Sequence, residues 1–221
     1  MRLKNIPSVM MLLKPYRLAV LVSGNGSNLQ AIINSIERKE LDAHLSIVIS
    51  NTKNAPAMVR AEKHGIETIF IDPDNYSNRK SYDQALIDKL KVASIDLICL
   101  AGYMRILGEE FILNFSRKII NIHPSLLPAF PGLNAQKQAI EYGVKFSGCT
   151  VHFVDAGVDS GPIILQTAVP VYDNDCEESL SKRILRQEHY LYPKAIAMII
   201  ENKFNLNGRT VTSNKAWNQT L

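Results

Sequence analysis

Apolar residues come in short blocks through the first half of the chain, and a stretch of helical spacing follows most of them. Leu18 to Val22, Leu45 to Ile49, Thr68 to Ile71, Leu97 to Leu100 and Ile119 to Ile122 have the length and character of strands buried on both faces. Ser27 to Ser35, Ala55 to His64 and Lys80 to Val92 read as helices, the last through Ala85, Leu86 and Leu90. Gly65 supplies a left-handed cap after the second of these. The alternation predicts an α/β fold: a Rossmann-like three-layer sandwich around a mostly parallel, twisted sheet. After residue 130 the rhythm changes. Gln136 to Tyr142 is a short helix ending at Gly143. Thr150 to Val154 and Ile163 to Val169 are strands joined by a polar loop, Asp155 to Pro162. That spacing permits antiparallel pairing and predicts a mixed C-terminal part of the sheet. Glu177 to Asn202 is one long helix with Pro193 as a kink.

Composition narrows the class without changing this outline. With 221 residues, 46% hydrophobic and 21% charged, the chain suits one globular domain over 1–221. Residues 1–17 read as a flexible N-terminal extension and 203–221 as a polar tail. Val9 to Leu13 is too short for a signal-peptide core, and no run approaches the roughly 18 apolar residues of a membrane span. A net charge of +4 without a dense Lys/Arg block suits anionic small ligands rather than nucleic acid. Cys99, Cys149 and Cys176 form no ligand pattern, which points to a reducing, cytoplasmic setting without a structural metal.

Three segments carry candidate chemistry. Ser23-Gly24-Asn25-Gly26-Ser27-Asn28 joins the first strand to the first helix, where backbone N–H groups can receive a phosphate. Leu29 stands where a dinucleotide fingerprint needs its third glycine, and no Gly-Lys-Ser/Thr follows. A phosphate monoester therefore fits this loop better than NAD or ATP. The plainer alternative is a tight turn with Ser27 or Asn28 as N-cap. Asn121-Ile-His-Pro-Ser-Leu-Leu-Pro128 ends the fifth strand. Asn121 and His123 share a face there, an amide donor beside an imidazole. The bland alternative is a strand end satisfying local backbone. Asp159 lies in the loop after His152; a loop carboxylate is ordinarily solvated, but beside an imidazole it would raise the imidazole pKa. His152 reads as a hydrogen-bonded core residue, His44 and His64 as surface residues, and His189 as either.

Together, in this order, the glycine loop, the Asn-x-His-Pro-Ser-Leu-Leu-Pro segment and the His…Asp-x-Gly-Pro loop closely resemble phosphoribosylglycinamide formyltransferases. The resemblance spans about Leu18 to Pro193. It implies the formyltransferase fold and a role in purine biosynthesis. The substrate would be glycinamide ribonucleotide and the co-substrate 10-formyltetrahydrofolate. The partners would be small molecules only, with no metal, in a monomer or homodimer. It also implies site roles. Gly26, Ser27 and Asn28 would hold the phosphate and Glu188 the ribose hydroxyls. Arg79, Met104, Arg105, Ile106 and Leu107 would line the folate site. Asn121, His123 and Asp159 would be the catalytic trio, and Asp155, Ala156, Gly157, Val158 and Asp159 would close over the pterin. The Leu127–Pro128 bond would be cis. Asn134 and Gln136 stand where many relatives have histidines, so no role for those histidines carries over.

The reaction this implies is acyl transfer. Asn121 donates to a tetrahedral oxyanion, His123 acts as imidazolium, and Asp159 keeps it charged. A formyltetrahydrofolate deformylase would carry an additional N-terminal domain, whereas only about 17 residues precede the first strand. A methionyl-tRNA formyltransferase would carry a further C-terminal domain. A silent ligand-binding module would have no need of the intact trio.

Overall fold

In the computed structural model, which describes residues 15–213, the apolar blocks become the strands of one seven-stranded sheet. β1 (Tyr16–Val22), β2 (Ala43–Ser50), β3 (Thr68–Phe70), β4 (Leu97–Leu100) and β5 (Ile119–His123) run parallel. β6 (Phe146–Phe153) and β7 (Ile163–Pro170) complete the sheet antiparallel. The order is β3-β2-β1-β4-β5-β6-β7. The order reverses at the β1–β4 boundary, and crevices outside the carboxyl ends of parallel strands form at such a reversal.

Helices cover the two faces unequally. One face packs α1 (Ser27–Glu37), α2 (Pro56–Lys63), α5 (Ala135–Tyr142) and α6 (Glu177–Ile200) against Leu18, Val20, Val48, Cys99, Ile120, Val151 and their neighbours. The other packs α3 (Arg79–Val92) and α4 (Glu109–Asn114) against Ala19, Leu21, Ile47, Ile49, Ile98 and Leu100. From β5 this second core takes Ile119, and nothing fully buried from β6 or β7. On the same face the next residues of the alternation are polar: Asn121, His123, Thr150 and His152. The strand pattern therefore changes from core to chemistry within β5.

Local signals explain the element ends. Gly26 is the N-cap of α1 in left-handed geometry, with φ 76°; neither Ser27 nor Asn28 caps the helix. Pro56 starts α2, where its missing N–H is harmless. Asn78 caps α3 through Ser81 N–H at 3.0 Å. Gly143 ends α5 at φ 77°, as the sequence led us to expect. Asn134, at φ 58°, opens α5 in the left-handed region that asparagine tolerates. Pro193 lies inside α6 without ending it. The Leu127–Pro128 bond is cis.

Two expectations need correction, and one element was missed. β1 starts at Tyr16, inside the stretch assigned to an extension; the rest of that assignment, residues 1–14, lies outside the described residues. The segment after Lys203 is not simply a tail: β8 (Phe204–Asn207) and β9 (Thr210–Ser213) form a hairpin turned by Asn207-Gly208. Residues 214–221, with Trp217, lie outside the described residues. The short helix α4 went unread. Among the described residues no helix is long and apolar enough to cross a membrane.

Candidate active site

The parity of β5 puts Asn121 and His123 on one face, and the antiparallel register sets His152 directly opposite Asn121. The loop after β6 turns back over that face. Asp159 makes the turn in the left-handed region, φ 49°, which Asp adopts more readily than most residues. Gly161 is confined because a Cβ there would strike the Phe153 carbonyl. The Asp159 carboxylate arrives at the centre of a polar cluster. It accepts hydrogen bonds from Asn121 Nδ2 at 3.2 Å and Gly132 N–H at 2.8 Å. It also lies 3.2 Å from His123 Nδ1 and 3.5 Å from His152 Nε2.

The imidazoles have different assignments. His152 Nδ1 faces the Phe153 carbonyl at 2.8 Å and so carries its proton there. Its Nε2 is then an acceptor for Asn121 Nδ2 at 3.3 Å. His123 Nε2 faces the Phe130 carbonyl at 2.8 Å and its Nδ1 faces Asp159. Both His123 nitrogens therefore look at acceptors, a geometry that an imidazolium satisfies fully. Burial acts the other way and dominates: His123 is 5% exposed, and its pKa is lowered, only partly offset by the Phe130 carbonyl and the Asp159 charge. Burial thus opposes the expectation that Asp159 keeps His123 charged. In the neutral form the Nε2 proton lies on the Phe130 carbonyl, and Nδ1 beside the carboxylate is the place for an incoming proton. For Asp159, burial works upward, but its contact with His152, the Gly132 N–H and the neighbouring His123 outweigh it, so its pKa lies below the usual carboxylate value.

A second pair joins opposite parts of the chain. Asn28 Nδ2, in the first turn of α1, donates to Glu188 Oε2 on α6 at 2.7 Å. Both residues are buried, and burial pushes the Glu188 carboxyl up. One N–H of the Asn28 side chain thus serves Glu188, and its backbone N–H, in the first turn of α1, is available to a phosphate. The start of α1 suits that use: its N-cap is a glycine with no side chain to take the first-turn N–H groups. Gly26 is also pinned by packing, since a Cβ would lie 2.5 Å from Ala57 Cβ. Arg60 on α2 holds the loop tip through the Asn25 carbonyl at 2.8 Å and Asn25 Oδ1 at 2.9 Å.

The segment after β4 forms the third part. Leu107 is buried, whereas Met104 and Ile106 are exposed, and the Arg105 guanidinium lies 4.8 Å above the Tyr82 ring. Gly108 N–H donates to the buried Asp83 at 2.7 Å, with Arg79 exposed beside that carboxylate. Asp155 organises its own loop, accepting from Ser160 Oγ at 2.6 Å and Gly157 N–H at 3.1 Å. Ala156, Gly157 and Val158 are exposed at the loop tip. Direct contact thus unites Asn121, His123 and Asp159, and separately Asn28 and Glu188. Met104, Arg105, Ile106 and Leu107 share one segment. Arg79 and Asp155 to Val158 are brought near through their loops rather than through a bond to the trio.

Sequence reading missed His152 as a member of this network, because its pairing depends on register. It also missed Arg209, in the β8–β9 turn, which donates to the Ser160 carbonyl at 2.6 Å. The Asn207-Gly208 pair was the signal for that hairpin. The thiols take no part: Cys99 and Cys149 are buried, and burial pushes both up, away from thiolate chemistry. Among the described residues no group of three or more His, Cys, Asp or Glu is placed to hold a metal ion.

Comparison with known proteins adds independent findings. A family model described as Formyl transferase matches residues 16–196. A phosphoribosylglycinamide formyltransferase of Bacillus subtilis is 42% identical over 83% of this chain and 94% of that protein. A trifunctional purine biosynthetic protein of Drosophila melanogaster is 48% identical over 83% of this chain, which spans only 14% of that relative's length. The crystal structure of a glycinamide ribonucleotide transformylase from Symbiobacterium toebii superimposes with TM-score 0.89, at 48% identity, covering 90% of this chain and 94% of that one. The chain belongs to the formyl transferase family and, within it, to the phosphoribosylglycinamide formyltransferases.

Proposed function

We propose that this chain transfers the formyl group of 10-formyltetrahydrofolate to the amine of 5′-phosphoribosylglycinamide, a step of purine biosynthesis. The observation that carries the reading is the Asn121–His123–Asp159 contact set where the second core ends at Ile119 and the sheet face turns polar. The relatives' names supply the substrate; the chemistry of the site is compatible with it. We read the described residues as one formyltransferase domain that includes the C-terminal hairpin.

The substrate amine attacks the formyl carbon, the C–N10 bond breaks, and the amine proton moves to N10 of the folate. Asn121 is the amide donor for the tetrahedral oxyanion. One such donor is worth roughly 10²–10³ in rate. His123 takes up a proton at Nδ1 during the reaction, and Asp159 stabilises the imidazolium then formed. Asn121 and His123 both face Asp159 at rest, so productive engagement requires the loop 155–161 to yield them to the reacting carbon. The N–H groups at Gly26, Ser27 and Asn28 hold the phosphate, Glu188 accepts from the ribose, and residues 104–107 with Arg79 and the loop 155–159 hold the folate. Holding two large ligands in register supplies much of the remaining rate.

The test is to mix the purified chain with glycinamide ribonucleotide and 10-formyltetrahydrofolate and to follow tetrahydrofolate by absorbance and the formylated product by mass spectrometry. Turnover that depends on both substrates is expected. Release of free formate with no formylated product would assign the chain to hydrolysis instead.

A further inference from the structure

Ser23 closes β1 and opens the glycine loop, and its side chain reaches two other strand ends. Its Oγ donates to Asn51 Oδ1, just beyond β2, at 2.5 Å. It accepts the Met104 N–H, four residues beyond β4, at 2.8 Å. The direction of each bond is fixed, because an amide oxygen only accepts and a backbone N–H only donates. A hydroxyl has one proton, so Asn51 takes it and the lone pairs serve Met104. The Ser23 N–H adds a second tie across the same boundary, donating to the Gly102 carbonyl at 3.1 Å. Gly102, at φ 72°, makes the turn that brings Met104 back toward Ser23. Residues 104–107 are otherwise held by the Arg105 guanidinium on the Tyr82 ring, by the buried Leu107 and, at their far end, by Gly108 N–H on Asp83.

We propose that Ser23 is a positioning residue for the folate segment: its hydroxyl, oriented by Asn51, sets the Met104 backbone and thereby the near end of the 104–107 binding surface. The inference rests on the assignment of 104–107 to the folate under the proposed function. It adds that the phosphate loop and the folate segment share a common anchor at the point where the strand order reverses.

Ser23→Ala removes both hydroxyl bonds and keeps the backbone bond to Gly102. Its KM for 10-formyltetrahydrofolate should rise about tenfold, the effect of roughly one lost hydrogen bond. KM for glycinamide ribonucleotide and kcat should stay within about threefold. Ser23→Thr keeps the hydroxyl and should return the folate KM to within about twofold of wild type. The amide of Met104 should exchange with solvent faster in Ser23→Ala and not in Ser23→Thr, with the amides of Val20 to Val22 unchanged in both. An unchanged folate KM in the alanine variant, equal rises for both substrates, or a threonine variant as impaired as the alanine one would each overturn the proposal. Wild-type protein inactive on these substrates would overturn the proposed function instead; the Met104 amide would still decide whether Ser23 anchors this segment.

Discussion

At the scale of single residues, His123 carries the sharpest consequence. Its ring is buried and both nitrogens are engaged, so under the proposed function its removal would delete a proton-handling group and leave the remote ligand contacts untouched. His123→Ala should lower kcat by roughly 10²–10⁴ and leave both KM values within a few-fold; stopped-flow turnover checks this, and a variant within a few-fold of wild-type kcat would exclude His123 from the chemistry. Asp159 acts on the same ring with a definite sign. Burial lowers the His123 pKa and the Asp159 charge offsets part of that, so Asp159→Asn should lower it further. Imidazole NMR titration reads the shift directly, and an unmoved titration would mean that the 3.2 Å contact carries no electrostatic coupling. The folded-state pKa of His123 lies below that of a free imidazole, about 6.5. The neutral ring thus contributes stability that is complete above that value and is lost as the pH falls from there through the lowered pKa. Asp159, with a depressed pKa, contributes stability that is present above the ordinary carboxylate pKa of about 3.9 and lost as the pH falls through its own.

At the scale of elements, the glycine loop answers to packing before it answers to phosphate. A Cβ at Gly26 would meet Ala57 Cβ at 2.5 Å and Ala57 Cα at 2.8 Å, and the φ of 76° is unfavourable for any other residue. Gly26→Ala should cost about 2 kcal/mol or more through backbone strain and overpacking against α2. Gly24→Ala, with no atom within 4 Å of its Cβ, should leave stability within about 0.5 kcal/mol. Urea midpoints compare the two, and equal stability would remove the α1–α2 packing argument. This pair also shows where sequence reading was strong and where it stopped. The glycine loop, the strand blocks and the shared face of Asn121 and His123 follow from periodicity and spacing alone. α4 was hidden because six residues with a glycine N-cap show too little periodicity. The first half of β6 was hidden because Phe146-Ser-Gly-Cys149 does not read as a strand. It pairs because Gly148, lacking a Cβ, admits the Thr167 carbonyl. His152 belongs to the site only through cross-strand register, which no single-chain pattern reveals. The downward pull of burial on His123 was not legible either, because spacing shows a neighbouring carboxylate but not the depth of burial.

At the scale of the whole molecule, the β1–β4 boundary is more than the place where the crevice lies. Every other strand pair in the sheet joins segments close in sequence, whereas across this one Arg17 N–H meets Asp96, 79 residues away, at 2.9 Å. Ser23 meets Met104 across 81 residues. This boundary therefore divides an N-terminal part, β1 to β3, from the remainder, and a crevice at the strand-order reversal would run along it. Under the proposed function a ligand lying there would touch both sides, the glycine loop on one and residues 104–107 with the Asn121–His123–Asp159 set on the other. On that reading the chain would act as a clasp for its substrates. If it is divided in the exposed turn before Asn78, after Ser77, the two pieces should reassemble, and glycinamide ribonucleotide with a folate analogue should tighten their association well beyond tenfold. Analytical ultracentrifugation with and without ligands measures the difference. Pieces that associate equally well in both cases would show that the ligands rest on one side of the line. Pieces that need the ligands to meet would make this enzyme scaffold a two-part sensor, in which the presence of substrate is read out as the joining of two chains.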